Sequence, residues 1–325
     1  MMEHYTTNPL MEEWNSGIAG LVSLVANTLL IRLTSKVKMY SETVRYSQYY
    51  SCTIRLAFSG LVVLTAPTIM YITEVKALYV VKGGIYVPRQ IADYLLNLFL
   101  VFIVTFCTGP TVQCLQVAYL LSNPTLKNHM ISKTLIGLIP LIVAIPTFWL
   151  IYFGYMPTQY EVELSESLIQ EITRYEESCF LIAEEEKIFT PETGTYEYDV
   201  MARICTFFMF FTMISSAIVV IVCFSHMHTT RLKNKLVCSS QSAKTQKQLN
   251  VLLMVQFIFP FITIHIPFYT AFMLPYLDFE FKMLSSYLPY LFAWCPAINP
   301  ILVICMVKVR VSFTVFEMCW GFPDL

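Results

Sequence analysis

Charge is what this sequence has least of. Only 13% of its 325 residues are Asp, Glu, Lys or Arg, about half the share found in soluble domains. With 56% hydrophobic residues, the chain cannot clothe a globular surface in polar groups, and it reads as an integral membrane protein. Its ten cysteines include no CxxC pair and no Cys/His group at metal-ligand spacing, so no metal site is expected. No GxSxG, HExxH, P-loop or dinucleotide fingerprint occurs. An enzyme, a cofactor and a nucleic-acid partner are therefore not expected. The hydropathy shows no inverted repeat. The opening stretch MMEHYTTNPLMEEWNSG is acidic and lacks the basic-then-apolar pattern of a signal peptide. The first apolar segment is expected to act as its own insertion signal.

Apolar length is what the sequence has in abundance. A helix needs roughly 20 apolar residues to cross the hydrocarbon, and seven stretches qualify, at about 16–33, 46–72, 94–119, 131–153, 201–225, 249–273 and 285–307. Many of them contain proline. In a bundle, neighbouring helices can satisfy the carbonyls that proline frees, so these residues predict kinks rather than breaks. With the N-terminus placed outside, the inner loops and tail hold 13 of the 21 bases and three of the 22 acids. That asymmetry sets the orientation by the positive-inside rule. The expected fold is an all-α membrane protein: a single seven-transmembrane helix bundle over 1–325, N-terminus outside and C-terminus inside, with a cytoplasmic tail at 308–325. Arg55 lies about nine residues, roughly 13 Å of helical rise, from the inner end of span two, near enough to snorkel inward.

Two loops differ sharply in charge. The loop at about 154–200 carries twelve acids against Arg174 and Lys187. Within it Leu168, Ile172, Tyr175, Cys179 and Ile182 recur at three-to-four spacing, which predicts an amphipathic helix lying over the bundle. The loop is either a solvated outer segment or a lid whose acids favour cationic ligands. The loop HMHTTRLKNKLVCSSQSAKTQKQL has five bases, two histidines and no acid. Topology alone accounts for that charge; a docking surface for an acidic cytosolic partner accounts for it equally. The tail places Val309, Phe313, Phe316 and Trp320 at amphipathic spacing, predicting a short helix on the inner membrane surface. Cys319 on that helix is a candidate for palmitoylation.

The seven-span plan with a basic loop before span six resembles G-protein-coupled receptors. The stretch SAKTQKQLNVLLMVQFIFPFITIHIPF narrows the resemblance to nematode Str-type serpentine chemoreceptors (Str/Srj/Srd-like), through Lys244, Lys247, Gln248, Leu249, Gln256, Pro260 and Pro267. SSYLPYLFAWCPAINPILVICMVKVRVSF is similar to the same family's span seven. The resemblance implies a chemosensory, olfactory-type receptor for a small, largely apolar ligand, signalling to a heterotrimeric G protein. It also implies a multi-pass protein of the plasma membrane, in sensory-neuron cilia. Its pocket would lie in the outer halves of spans three, five, six and seven, at Asn97, Val101, Phe207, Phe211, His265, Tyr269, Tyr287, Tyr290 and Trp294. Its conformational switch would use Pro260, Pro267, Asn299 and Pro300, with Asn27 of span one as a partner for Asn299. The prolines of span seven fit either a hinge or a static kink patched by amides. G-protein contacts would come from Lys127, Arg231, Lys233, Lys235, Lys244, Lys247, Lys308 and Arg310.

The chain departs from the family at four places. No arginine lies between Arg89 and Lys127, where an aromatic-Arg-aromatic triplet is usual at the inner end of span three. His265 stands where a tryptophan would precede the second proline of span six, and Val303 stands where a later tyrosine would follow in span seven. The common receptor disulfide finds no partner at the top of span three, so Cys179 is expected as a free thiol, with Cys205 the alternative partner. Two other classes are compatible with seven spans: a channel or transporter, and a receptor-like dimer partner without signalling of its own.

Overall fold

A computed structural model gives the architecture and describes residues 9–36, 42–72, 77–122, 129–173, 179–184, 186–190, 195–234, 240–277 and 282–320. The long helices are α1 (Pro9–Lys36), α2 (Glu42–Thr65), α3 (Arg89–Ser122), α4 (His129–Gly154), α6 (Val200–Asn234), α7 (Ser240–Pro260) and α9 (Lys282–Trp320). A π turn, Phe261–His265, joins α7 to α8 (Ile266–Leu277), so these three pieces make one span. Helix α1 packs on α2 and α9, α3 is held by α2, α4 and α6, and α7 touches α3 and α9. Outer and inner are used below in the sense set by the charge asymmetry.

Six of the described helices are long and apolar enough to cross a membrane. Helix α2 falls outside that set because its buried face is polar. Gln48, Ser51, Arg55 and Ser59 recur at three-to-four spacing, and all are buried. Polar groups turned toward other helices are satisfied there instead of by lipid.

Span two, expected to reach residue 72, stops at Thr65. Ala66 takes a φ of +33° and donates its N–H to the Val62 carbonyl, closing the helix in a left-handed turn. Pro67 follows and favours an extended residue before it over a helical one. The apolar run after it, TIMYI, is strand β1 (Thr68–Ile72). It pairs antiparallel with β2 (Ala77–Val81), which pairs antiparallel with β3 (Phe180–Glu184) of the acidic loop. The remainder of that loop supplies α5 (Gln159–Thr173) and the hairpin β4 (Glu186–Thr190) with β5 (Thr195–Tyr198).

The three-stranded sheet is buried on both faces. Ile69, Tyr71, Leu78, Val80, Leu181 and Ala183 join the core of the bundle. Their strand neighbours Met70, Tyr79, Val81, Phe180 and Ile182 form a second cluster with Val162 and Ile169 of α5. The two-residue alternation of a strand thus gives one face to the bundle and the other to a covering helix. The amphipathic helix expected in the acidic loop is present over Gln159–Thr173; Tyr175 lies outside the described residues, and Cys179 and Ile182 belong to the sheet region beneath it. Cys179 is a free, buried thiol, as is Cys205.

The backbone of α9 is helical without a break through Pro289, Pro296 and Pro300 to Trp320, so no change of secondary structure separates span seven from the tail.

Candidate functional site

The interior of the bundle divides by chemistry. Its outer half is aromatic. Phe58 stacks on Phe99 with centroids 5.8 Å apart, and Phe99 meets Phe292 edge-on at 5.5 Å. Phe268 touches both Phe292 (5.9 Å) and Phe272 (4.5 Å). His265, the last residue of the π turn, is buried among Phe106, Phe261 and Tyr269 with centroids 6.3–6.4 Å away. A π turn adds one residue to the helix and re-aims every side chain beyond it, which is why such turns collect at functional sites. Here it turns His265 into an aromatic cage.

Above the cage lies the sheet, fastened at several points. The Ile182 N–H donates to the carbonyl of Tyr155 at the end of α4 (2.8 Å), and the Tyr155 hydroxyl meets Thr206 Oγ1 of α6 (2.6 Å). Thr68 donates to Glu12 (2.5 Å), and the Gly84 N–H donates to Glu13 (3.2 Å), so α1 clasps the first outer loop. Gly84 has φ +66°, open to glycine at no cost, and a Cβ there would lie 3.2 Å from the Leu64 carbonyl oxygen. Lys82 caps the carbonyls of Gly83 and Ile85 (2.9 and 2.5 Å). Burial pulls its ammonium below the ordinary range, against the opposing effects of Cys179 and Glu13. The Cys179 thiol donates to Asp93; burial first, and that hydrogen bond second, hold it well above the usual thiol range.

The inner half of the bundle is polar. Gln48 of α2 and Gln256 of α7 exchange amide hydrogen bonds (3.2 and 3.1 Å). Gln113 of α3 donates to the Ser47 carbonyl (3.2 Å) and to Ser51 Oγ. Thr111 and Ser216 pair their hydroxyls between α3 and α6. Asn27 Nδ2 donates to the Pro296 carbonyl (3.1 Å) and to Ser23, and Ser23 Oγ donates to the same Pro296 carbonyl (3.3 Å). That carbonyl is the one Pro300, four residues on, cannot serve, because proline has no N–H. Helix α1 therefore supplies the hydrogen bonds that Pro300 withholds.

The residues expected to form the pocket divide in the same way. Asn97, Val101, His265 and Tyr269 are buried in the bundle; Asn97 donates to the Phe148 carbonyl (3.3 Å). Tyr290 and Trp294 are half-buried, and the Trp294 indole donates to Asn15 (2.8 Å). Phe207, Phe211 and Tyr287 are 55%, 68% and 58% exposed, on the surface that faces lipid in a bundle, and do not line its interior. Asn27 and Asn299 do not pair: Asn27 bonds backbone, and Asn299 Oδ1 is buried without a partner. Arg55 does not snorkel. It is 4% exposed, and its Nη1 is buried without a hydrogen-bond partner. Arg231, Lys233, Lys244, Lys247, Lys308 and Arg310 stand on helical backbone near the ends of α6, α7 and α9, and Cys319 stands on α9; their side chains lie outside the described residues. Lys127 and Lys235 lie outside them altogether.

A cavity of about 590 Å³ opens beside the sheet, between the start of α3, the end of α4 and α5. Arg89, Asp93, Tyr152, Glu163 and Glu166 line it. Its walls mix charge and aromatic surface, unlike the cage around His265. Sequence reasoning missed it, because its lining comes from three separate elements. The polar seam of α2 was legible in principle, as Gln48, Ser51, Arg55 and Ser59 at helical spacing.

A family model described as "Serpentine type 7TM GPCR chemoreceptor Str" matches residues 13–309. Among solved structures the chain is similar to "Crystal structure of squid rhodopsin", with a TM-score of 0.61 and 13% identity over 99% of this chain and 90% of that one. No curated protein matches the sequence.

Proposed function

We infer what this chain does from the premise that it belongs to the Str family of serpentine seven-transmembrane chemoreceptors: it detects a small, largely apolar molecule from outside and signals to a heterotrimeric G protein. It is a multi-pass membrane protein of the receptor type, with the fold of a rhodopsin-like bundle. The observation that carries the ligand class is the aromatic cage of His265, Phe106, Phe261 and Tyr269 beneath the sheet. Aromatic walls with few polar groups, the His265 imidazole and the Tyr269 hydroxyl, suit a small ligand that binds mainly by burial.

The sheet and α5, in this reading, cover the way to the cage from outside and move to admit the ligand. A ligand that binds the opened state more tightly shifts the population toward it. In this reading the π turn between Pro260 and Pro267 is the moving part. The Asn27–Pro296 link is an anchor that holds α9 to α1 while α8 shifts. Basic residues at the inner ends of α6, α7 and α9 meet the G protein, and the protein resides in the plasma membrane of sensory cilia.

A second reading has its own observation. The 590 Å³ cavity carries Asp93, Glu163 and Glu166 against Arg89, and suits a polar or cationic ligand. One experiment separates the two. Cells expressing the full chain are exposed to a panel of apolar odorants and small amines, with a G-protein-dependent reporter. The first reading expects an apolar agonist whose potency falls at least about tenfold in His265→Phe and is unmoved by Glu163→Gln with Glu166→Gln. The reverse pattern supports the outer cavity. A silent panel at normal surface expression contradicts both.

A further inference from the structure

Arg55 is the group the receptor reading leaves unexplained. It lies near the middle of α2, is 4% exposed, and lines a small cavity with Ser51, Thr105, Gln256, Pro260 and Asn299. Guanidinium is always charged in proteins, and a buried charge is tolerated when something compensates it. Among the described residues nothing of opposite formal charge does so. The side chains that act on it are the neutral thiols of Cys52 and Cys295. Its Nη1 has no hydrogen-bond partner, and neither has Asn299 Oδ1 beside the same cavity.

The rest of the lining is part apolar, with Ile54, Phe106 and Pro110, and part polar, with Ser51, Gln256 and Asn299. Gln256 is committed to Gln48 through both amide atoms. Ser51 Oγ accepts from Gln113, which leaves its own proton free to donate. The Asn299 amide can turn its nitrogen inward by a simple flip. No carboxylate lines the cavity. The cavity volume is about 20 Å³, enough for one small ion or one water and too little for an organic anion. A water would satisfy the hydrogen bonds and leave the charge uncompensated; a single monovalent anion answers both.

We propose that the cavity between Arg55, Ser51 and Asn299 binds one monovalent anion of chloride size. The four helices α2, α3, α7 and α9 all contribute to the lining, and two of them do so at prolines, Pro110 and Pro260. An anion held there couples the middles of α2, α3 and α9 to the end of α7 at Pro260, so a movement at the π turn that opens the cavity also weakens anion binding. By reciprocity the anion favours the closed arrangement.

The test uses the purified full-length chain in lipid nanodiscs and needs neither agonist nor G protein, so its outcome is independent of the receptor reading. Thermal unfolding is followed while chloride replaces gluconate at constant ionic strength, and again with bromide. A ligand of the native state raises Tm in a saturable way. The expected result is such a rise for both halides in the wild type and its disappearance in Arg55→Met. A wild-type Tm equal in chloride and gluconate overturns the proposal, as does an equal rise in Arg55→Met. Should Arg55→Met fail to fold, Ser51→Ala keeps the guanidinium and removes one donor. Its chloride midpoint should move up about tenfold, the effect of one charge-assisted hydrogen bond; an unmoved midpoint overturns the proposal.

Discussion

Single residues here are explained by what a neighbour cannot do. Asn27 is conspicuous as an amide in an apolar helix, and its meaning lies 269 residues away, one turn before Pro300, at the Pro296 carbonyl. Removing the amide takes away the shorter of the two hydrogen bonds that α1 gives that carbonyl and leaves Ser23 the other (3.3 Å), so Asn27→Ala should cost about 1 kcal/mol of stability. Pro300→Ala gives α9 back its own donor. In that background the loss from Asn27→Ala should shrink by at least about half. A double-mutant cycle on Tm or denaturant midpoint measures the coupling, and additive losses would show that Asn27 acts elsewhere. Cys179 makes a second residue-scale case. Burial and its bond to Asp93 hold the thiol in its neutral form, and the thiolate is the reactive species. At pH 8 a maleimide should label Cys179 at least about tenfold more slowly in the native chain than after unfolding, and Asp93→Asn should leave it slow because burial is the larger cause. The family resemblance picked out His265, Asn27 and Pro300 in the sequence, but their partners are set by packing between distant helices. The pairing of Asn27 with Asn299 failed for that reason: spans one and seven do meet, and the backbone carbonyl freed by Pro300 is the better acceptor.

Elements were legible where their period is long and illegible where it is short. Most of the spans announced themselves by length. The strands of the lid did not, because a five-residue apolar run such as TIMYI reads as the last turn of the helix before it. Only Pro67 signals that the helix has ended. FLIAE, in a loop dominated by acids, was absorbed into the period of the helix preceding it for the same reason. The π turn has no sequence signature beyond two prolines seven residues apart. Its functional weight can nevertheless be tested alone. Deleting Ile262, which is 58% exposed and faces lipid, removes the extra residue and lets the segment close as regular α-helix with both flanks in register. The variant should fold and reach the membrane, with agonist response lost as His265 leaves the cage. A normal response from a folded deletion variant would take the π turn out of the mechanism.

At the scale of the whole molecule, one division organises the rest. The outer half is an aromatic interior under a two-faced sheet, with α5 above it; the inner half is an amide and hydroxyl network around a buried arginine. Hydrophobic packing holds the outer half and hydrogen bonds register the inner half, so the two can be perturbed separately. The low charge that places the chain in a membrane was open to the sequence, as was the charge asymmetry from which its orientation is expected. The side cavity at Arg89 and Glu163 and the sheet register were not, since both depend on which loops meet. The missing arginine at the inner end of α3 bears on the central claim most directly, because the proposed G-protein contact lies at that end. The decisive measurement is guanine-nucleotide exchange on purified heterotrimeric G proteins, driven by the purified full-length chain with and without an agonist found in the cell panel. Agonist-dependent acceleration with at least one Gα class is the predicted result. Basal exchange throughout, with the agonist shown to bind, would contradict the claim that this chain signals through a G protein.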